Sequence, residues 1–284
     1  MLRIEQTLSF PKSPHALNED GLFISEDLCV VFDGATGLCP PMIPGIGSDA
    51  AWFVHGVIAE LKRRWQPGGS FQETLREICT VLSVDYARLV GSSVKEVPVQ
   101  YQPLAALAAV QKLPGKLLFH RFGDCSAIIG DEVAAGWVFP PSPLEALDAY
   151  NTAWMVAHRP EGLSLDAVRQ LIFPRLATAR ALHANSIGGY WVLGLNPDSS
   201  QYMETITLDC DAQPESILLM SDGYSALVDD YCKDWNAAQL LACSRKGLGA
   251  AYNLIRDIER MDPEAWVYPR FKTSDDCSAI LLRA

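Results

Sequence analysis

The feature that most limits how this chain can fold is the shortness of the links between its strand-length apolar runs. LAALAAVQ and KLLFHRF are separated only by a Lys112-Leu113-Pro114-Gly115 turn, and GLFIS and LCVVF only by Glu26-Asp27. Parallel neighbours need a crossover of about a dozen residues or more, so links this short force antiparallel pairing. Residues 125–129 and 133–138 read as another hairpin, and LRIEQTLSF, YMETITLD, SILLM and CSAILLR as further strands. Helical periodicity falls in separate blocks. Ser48-Asp49 caps a helix carrying WFVHGVIAELKRRW, and Ser70 with Glu73 opens a second through Leu89. Further helices are expected over 144–157, 164–183, 236–244 and 250–260. Strand runs and helix pairs in separate blocks predict an α+β fold with antiparallel sheets. No linker is evident, so one domain is expected over 1–284, with the helical block from 140 to 185 as an insertion.

Composition excludes several classes. Hydrophobic residues at 49% and charged residues at 20% over 284 residues are globular values, not those of a disordered chain. The longest clean apolar stretch, 104–110, is too short to span a bilayer, and the first ten residues lack a leader's basic head and apolar block. With 23 basic against 34 acidic side chains, a net charge of −11 argues against a nucleic-acid backbone as partner. The eight cysteines (29, 39, 79, 125, 210, 232, 243 and 277) form no CxxC pair. They are expected to be reduced, buried thiols of a cytosolic protein.

The informative residues are acids placed where strands stop or start. VVFDGATG puts Asp33 and Gly34 at the end of one strand, and LLMSDGYS puts Asp222 and Gly223 at the end of another. NEDGLFI and TSDDCSAILL place Glu19-Asp20 and Asp275-Asp276 just before strands. In antiparallel sheets the end of one strand lies beside the start of its neighbour, so all four sites are expected to meet at one sheet edge. A two-residue Glu26-Asp27 turn would set Asp20 directly across from Asp33. Like charges so placed are destabilising unless a cation lies between them. Several carboxylates without a histidine cluster suit Mg²⁺ or Mn²⁺, with the glycines allowing close backbone approach. The alternative is that each Asp-Gly pair is only a turn.

The ordered set NED, VFDGATG, FGDCSA, LLMSDG and SDDCSAILL resembles the protein phosphatase 2C family of metal-dependent serine/threonine phosphatases, over essentially the whole chain. The resemblance implies a four-layer α-β-β-α sandwich of two antiparallel sheets flanked by helix pairs, with a helical flap at 140–197. It implies two Mn²⁺ or Mg²⁺ ions and a phosphorylated protein as substrate. In that resemblance Asp33 bridges both ions and the Gly34 carbonyl binds one. Asp222 and Asp275 hold the first ion, Glu19 and Asp20 serve the second, and Asp124 matches a weaker third site.

Three positions depart from the family pattern. His15 stands where an arginine usually grips the substrate phosphate, and imidazole lacks the guanidinium fork. Ala35 replaces a histidine found in many members, and Ala226 an aspartate of the third site. The competing reading is therefore a weak or inactive phosphatase-like module that senses or binds a partner protein. A further one is hydrolysis of small phosphate metabolites. His55 is read as a core or boundary residue, His120 as a sheet-face residue, and the tryptophans at 52, 137, 154, 191, 235 and 266 as core. NSIGGYWVLGLNP is read as an apolar strand returning from the flap.

Overall fold

The computed structural model describes residues 1–35, 38–131, 134–209 and 214–283. Its elements follow in order: β1 (Arg3–Phe10), β2 (Gly21–Ile24), β3 (Leu28–Ala35), α1 (Asp49–Arg64), α2 (Phe71–Val90), β4 (Leu104–Leu113) and β5 (Lys116–Phe122). Then come β6 (Ser126–Gly130), β7 (Ala135–Trp137), α3 (Pro143–His158), α4 (Leu165–His183) and β8 (Leu193–Gly194). The chain continues through β9 (Glu204–Asp209), β10 (Ser216–Met220), α5 (Asp222–Ala226), α6 (Ala237–Lys246), α7 (Leu248–Met261) and β11 (Cys277–Arg283).

Two sheets result, one ordered β1-β11-β10-β6-β7 and the other β2-β3-β4-β5-β9 with β8 beside β4. Their ladders are antiparallel, as the short links require. Leu22 pairs with Val31 and Ile24 with Cys29 around the Glu26-Asp27 turn, the register expected from the sequence. The strands are apolar on both faces because both faces are covered. In β3, Val30 and Phe32 face α1 and α2, whereas Cys29 and Val31 face the other sheet. In β10, Leu218 and Met220 face α6 and α7, whereas Ile217 and Leu219 face inward. Each such side chain is worth about 1.5–3 kcal/mol of burial, so a one-residue slip in register would lose most of the core.

Serines start the long helices. Ser48, Ser70, Ser142 and Ser164 each accept a backbone N–H from the first turn of α1, α2, α3 and α4. Gly91, at φ 73°, ends α2 in the left-handed conformation.

Some expectations need correction. Only Trp65 among the tryptophans is buried; Trp137 and Trp266 are exposed, and Trp52, Trp154, Trp191 and Trp235 are half-buried at cluster edges. A tryptophan's area is large enough to seal a cluster's rim without entering it. His55 is exposed on α1. The apolar segment after Gly189 contributes only the two-residue β8 and continues as loop and a 3₁₀ turn over Pro197–Tyr202. Val133 and Cys210 lie outside the described residues. Four of the other cysteines are buried and three half-buried, all unpaired.

Candidate functional site

The acids come together at one end of the sandwich, and they come from both sheets rather than along a single edge. Asp33 lies near the end of β3, and Asp20 just before β2. From the other sheet, Asp222 follows β10 and Asp275-Asp276 precede β11, with Ser221 N–H donating to the Ser278 carbonyl at 3.0 Å. Asp124 sits on the link that carries the chain from β5 of one sheet to β6 of the other. Glu19, Asp33, Gly34, Asp124, Asp222 and Asp275 line one cleft of about 1090 Å³, walled on its far side by α3 and α4.

Both glycines of the Asp-Gly pairs are needed for close approach. A Cβ at Gly34 would stand 2.4 Å from the Glu19 carbonyl oxygen, and one at Gly223 only 1.9 Å from that of Asp276. Each acid-bearing strand end is thus pressed against the backbone that bears the next acids.

A second set of residues fixes the first. Asp276 is buried and accepts the Lys12 N–H at 2.7 Å and the Glu19 N–H at 2.8 Å, tying the segment before β2 to the segment before β11. Ser221 Oγ donates to Asp20 Oδ2 at 2.9 Å while accepting the Ser278 N–H at 3.0 Å. Ser48 Oγ donates to Glu19 Oε1. The sequence pairs Asp275 with Asp276, but the structure separates their roles: one lines the cleft and the other is a backbone clamp.

Electrostatics follow from crowding. Asp33 titrates well above the usual carboxylate range, first through burial and then through the charges of Asp222, Asp20 and Asp124. Asp20 is raised by burial and by Asp222, Asp276 and Asp275. Asp124 is raised by burial, Asp222, Asp148 and Glu145. Asp148 of α3, which sequence reading missed, is pushed up to about 7 by burial and by Asp222. Asp229 and Asp230 also line the cleft; they lie on a π-turn over Leu227–Tyr231, just beyond Ala226.

A cluster of hard oxygen donors that raise one another's pKa, cradled by two obligatory glycines, is chemically suited to a divalent cation. Among the described residues no three His, Cys, Asp or Glu side chains stand close enough to form a ready-made cage. His15 is exposed on the loop before Glu19 and does not line the cleft. The cations that do line it are Lys12, Arg169, Arg180, Lys233, Arg270 and Lys272.

No family model and no curated protein matches the chain. Solved structures do match its fold. The serine/threonine phosphatase PstP/Ppp of Mycobacterium tuberculosis is 13% identical, with 100% of this chain and 99% of that chain covered and a TM-score of 0.57. The catalytic domain of PstP in complex with two manganese ions is 15% identical, with 100% and 99% covered and a TM-score of 0.54. Stp1 from Staphylococcus aureus is 14% identical, with 100% and 95% covered and a TM-score of 0.56. The chain therefore has the α+β, two-sheet fold of bacterial serine/threonine phosphatases of the protein phosphatase 2C type. Among the described residues no helix is long and apolar enough to cross a membrane.

Proposed function

We propose that this protein is a divergent metal-dependent phosphatase that removes phosphate from phosphoserine and phosphothreonine in proteins, using two Mn²⁺ or Mg²⁺ ions. The observation that carries the reading is the meeting of Asp20, Asp33, Asp222 and Asp275, from four strand ends of two sheets, in a chain sharing that phosphatase fold throughout. Asp33, Asp222 and Asp275 are the side chains assigned to hold the ions. Gly34 contributes its carbonyl, Glu19 and Asp20 serve the second ion, and Asp124 stands at a peripheral third position. Bound there, divalent ions would lower the pKa of an attacking water and neutralise phosphoryl charge.

The chain's own residues do the positioning. Ser221 orients Asp20, Asp276 holds the 19–20 segment at its backbone, and Ser48 steadies Glu19. The segment 140–197 is assigned as a flap of the single domain, walling the cleft and choosing substrates. The cleft lining carries ten carboxylates and six cations, which favours a basic phosphopeptide over a small anionic metabolite.

The test is p-nitrophenyl phosphate and phosphopeptide hydrolysis with Mn²⁺, Mg²⁺ or chelator. Turnover is expected only with metal, and Asp33→Asn should lower it at least about a hundredfold. Near-normal turnover in chelator or in Asp33→Asn would sink the mechanism. No turnover with any metal would leave the partner-binding module, which the exposed position of His15 favours.

A further inference from the structure

The acid cluster already has a cation seated in it. Lys272 stands three residues before Asp275 on the loop entering β11, and its Nζ lies 2.8 Å from Asp275 Oδ1 and 2.6 Å from Oδ2. The ammonium thus sits on both oxygens of one of the acids assigned to the ions. Behind it, Arg256 Nη2 donates to the Asp275 carbonyl at 2.6 Å, so the carboxylate's backbone is fixed while its charge is shared.

A second cation arriving at the Asp275 oxygens would meet this ammonium at close range, where like charges repel most strongly. The lysine has somewhere to go. Its side chain is 41% exposed and that of Asp275 29%, so the pair opens to water. Lysine is a single charge on a flexible stem and can withdraw without disturbing the loop.

We propose that Lys272 is a tethered competitor for the cation site: its ammonium neutralises Asp275, and a divalent ion must displace it from the Asp275 oxygens to bind. The proposal rests on the reading of these carboxylates as the metal-holding residues. It makes the same side chain stabilise the acid cluster and weaken ion capture, two effects of opposite sign that a merely structural lysine would not show together.

The test is calorimetric titration of Mn²⁺ into wild type, Lys272→Met, Lys272→Arg and Asp33→Asn, with thermal melts of each in chelator and in saturating Mn²⁺. Lys272→Met should bind Mn²⁺ roughly three- to tenfold more tightly than wild type, and Lys272→Arg should not. In chelator Lys272→Met should melt roughly 2–4 °C below wild type, with the gap closing or reversing in Mn²⁺. Binding that appears only in Lys272→Met would support the proposal most strongly. Should Lys272→Met fail to fold, Lys272→Gln is read in the same way. Equal or weaker binding in the lysine variants, with wild type binding and Asp33→Asn not, would overturn the competitor role alone. No Mn²⁺ binding in any variant would overturn the metal-centre reading and this proposal with it.

Discussion

The sandwich and the α3–α4 excursion are built on opposite plans. Every residue of β10 is buried, as are all but the last of β11, and their side chains serve the inter-sheet core or the α6–α7 layer by strict alternation. By contrast, α3 buries only Asn151 and Met155, and α4 only Leu165, Val168 and Ile172. Tyr150, Val156, Leu171, Phe173 and Leu182 remain exposed on the two helices. The excursion is fastened instead at its tip. Arg159, its side chain only 3% exposed, donates to the Glu264 carbonyl at 2.6 Å and lies over the Trp266 ring at 3.5 Å. The carboxylates therefore stand on the part of the molecule whose geometry is over-determined. The wall facing them hangs on few contacts, where local opening is cheapest.

Truncation should expose this contrast most strongly. Leu219→Ala in the inter-sheet core is expected to cost about 3–5 kcal/mol in urea unfolding. Met155→Ala should cost only about 1 kcal/mol in the same transition, because the excursion can open before the sandwich melts. Equal losses would break the comparison.

A somewhat smaller effect is expected from acid. His120 is buried in β5 against Phe71, with Nδ1 hydrogen-bonded to Thr205 Oγ1 at 3.0 Å, and burial pulls its pKa down from 6.5 to about 4. Between those values the unfolded chain binds the proton and the folded one does not. Stability should therefore fall as pH drops from 6.5 to 4, by about 3 kcal/mol, and level off below. His120→Phe should lack this component in urea midpoints compared across that range. An identical pH slope in the variant would show that the histidine is not what acid acts on.

The smallest effect sharpens the comparison at its hinge. Arg159→Ala should release about 1–2 kcal/mol of local fastening and speed proteolysis within 159–163, with the urea midpoint little changed. Unchanged cleavage would mean the tip is held by other contacts, such as Phe271 against Met155, Val168 and Ile172.

Strands and registers were legible because apolar runs with short links leave few pairings, and the Glu26-Asp27 turn placed Asp20 opposite Asp33. The polarity of the acids was legible too, although not their division between two sheets. What escaped notice depends on reach across the fold. Asp276 looks like a twin of Asp275 until its two backbone donors, from Lys12 and Glu19, are seen. Lys272 carried a signal, its i,i+3 spacing to Asp275, but spacing in a loop has no fixed geometry. Asp148 reaches the cleft only because α3 folds back over it, and Asp229 and Asp230 only because a π-turn presents them. His15 sits before Glu19 in sequence, yet its loop turns outward.

The contacts at Gly34 and Gly223 have a genetic consequence. Every missense change of a glycine codon adds a Cβ, so even the mildest, to alanine, would drive an atom into the Glu19 or Asp276 carbonyl. Gly136 and Gly249, with no heavy atom within 4 Å of an added Cβ, face no such barrier. The acid-bearing strand ends are thus mutational dead ends: a lineage could recolour the exposed surface step by step, while these two positions admit no neighbouring step.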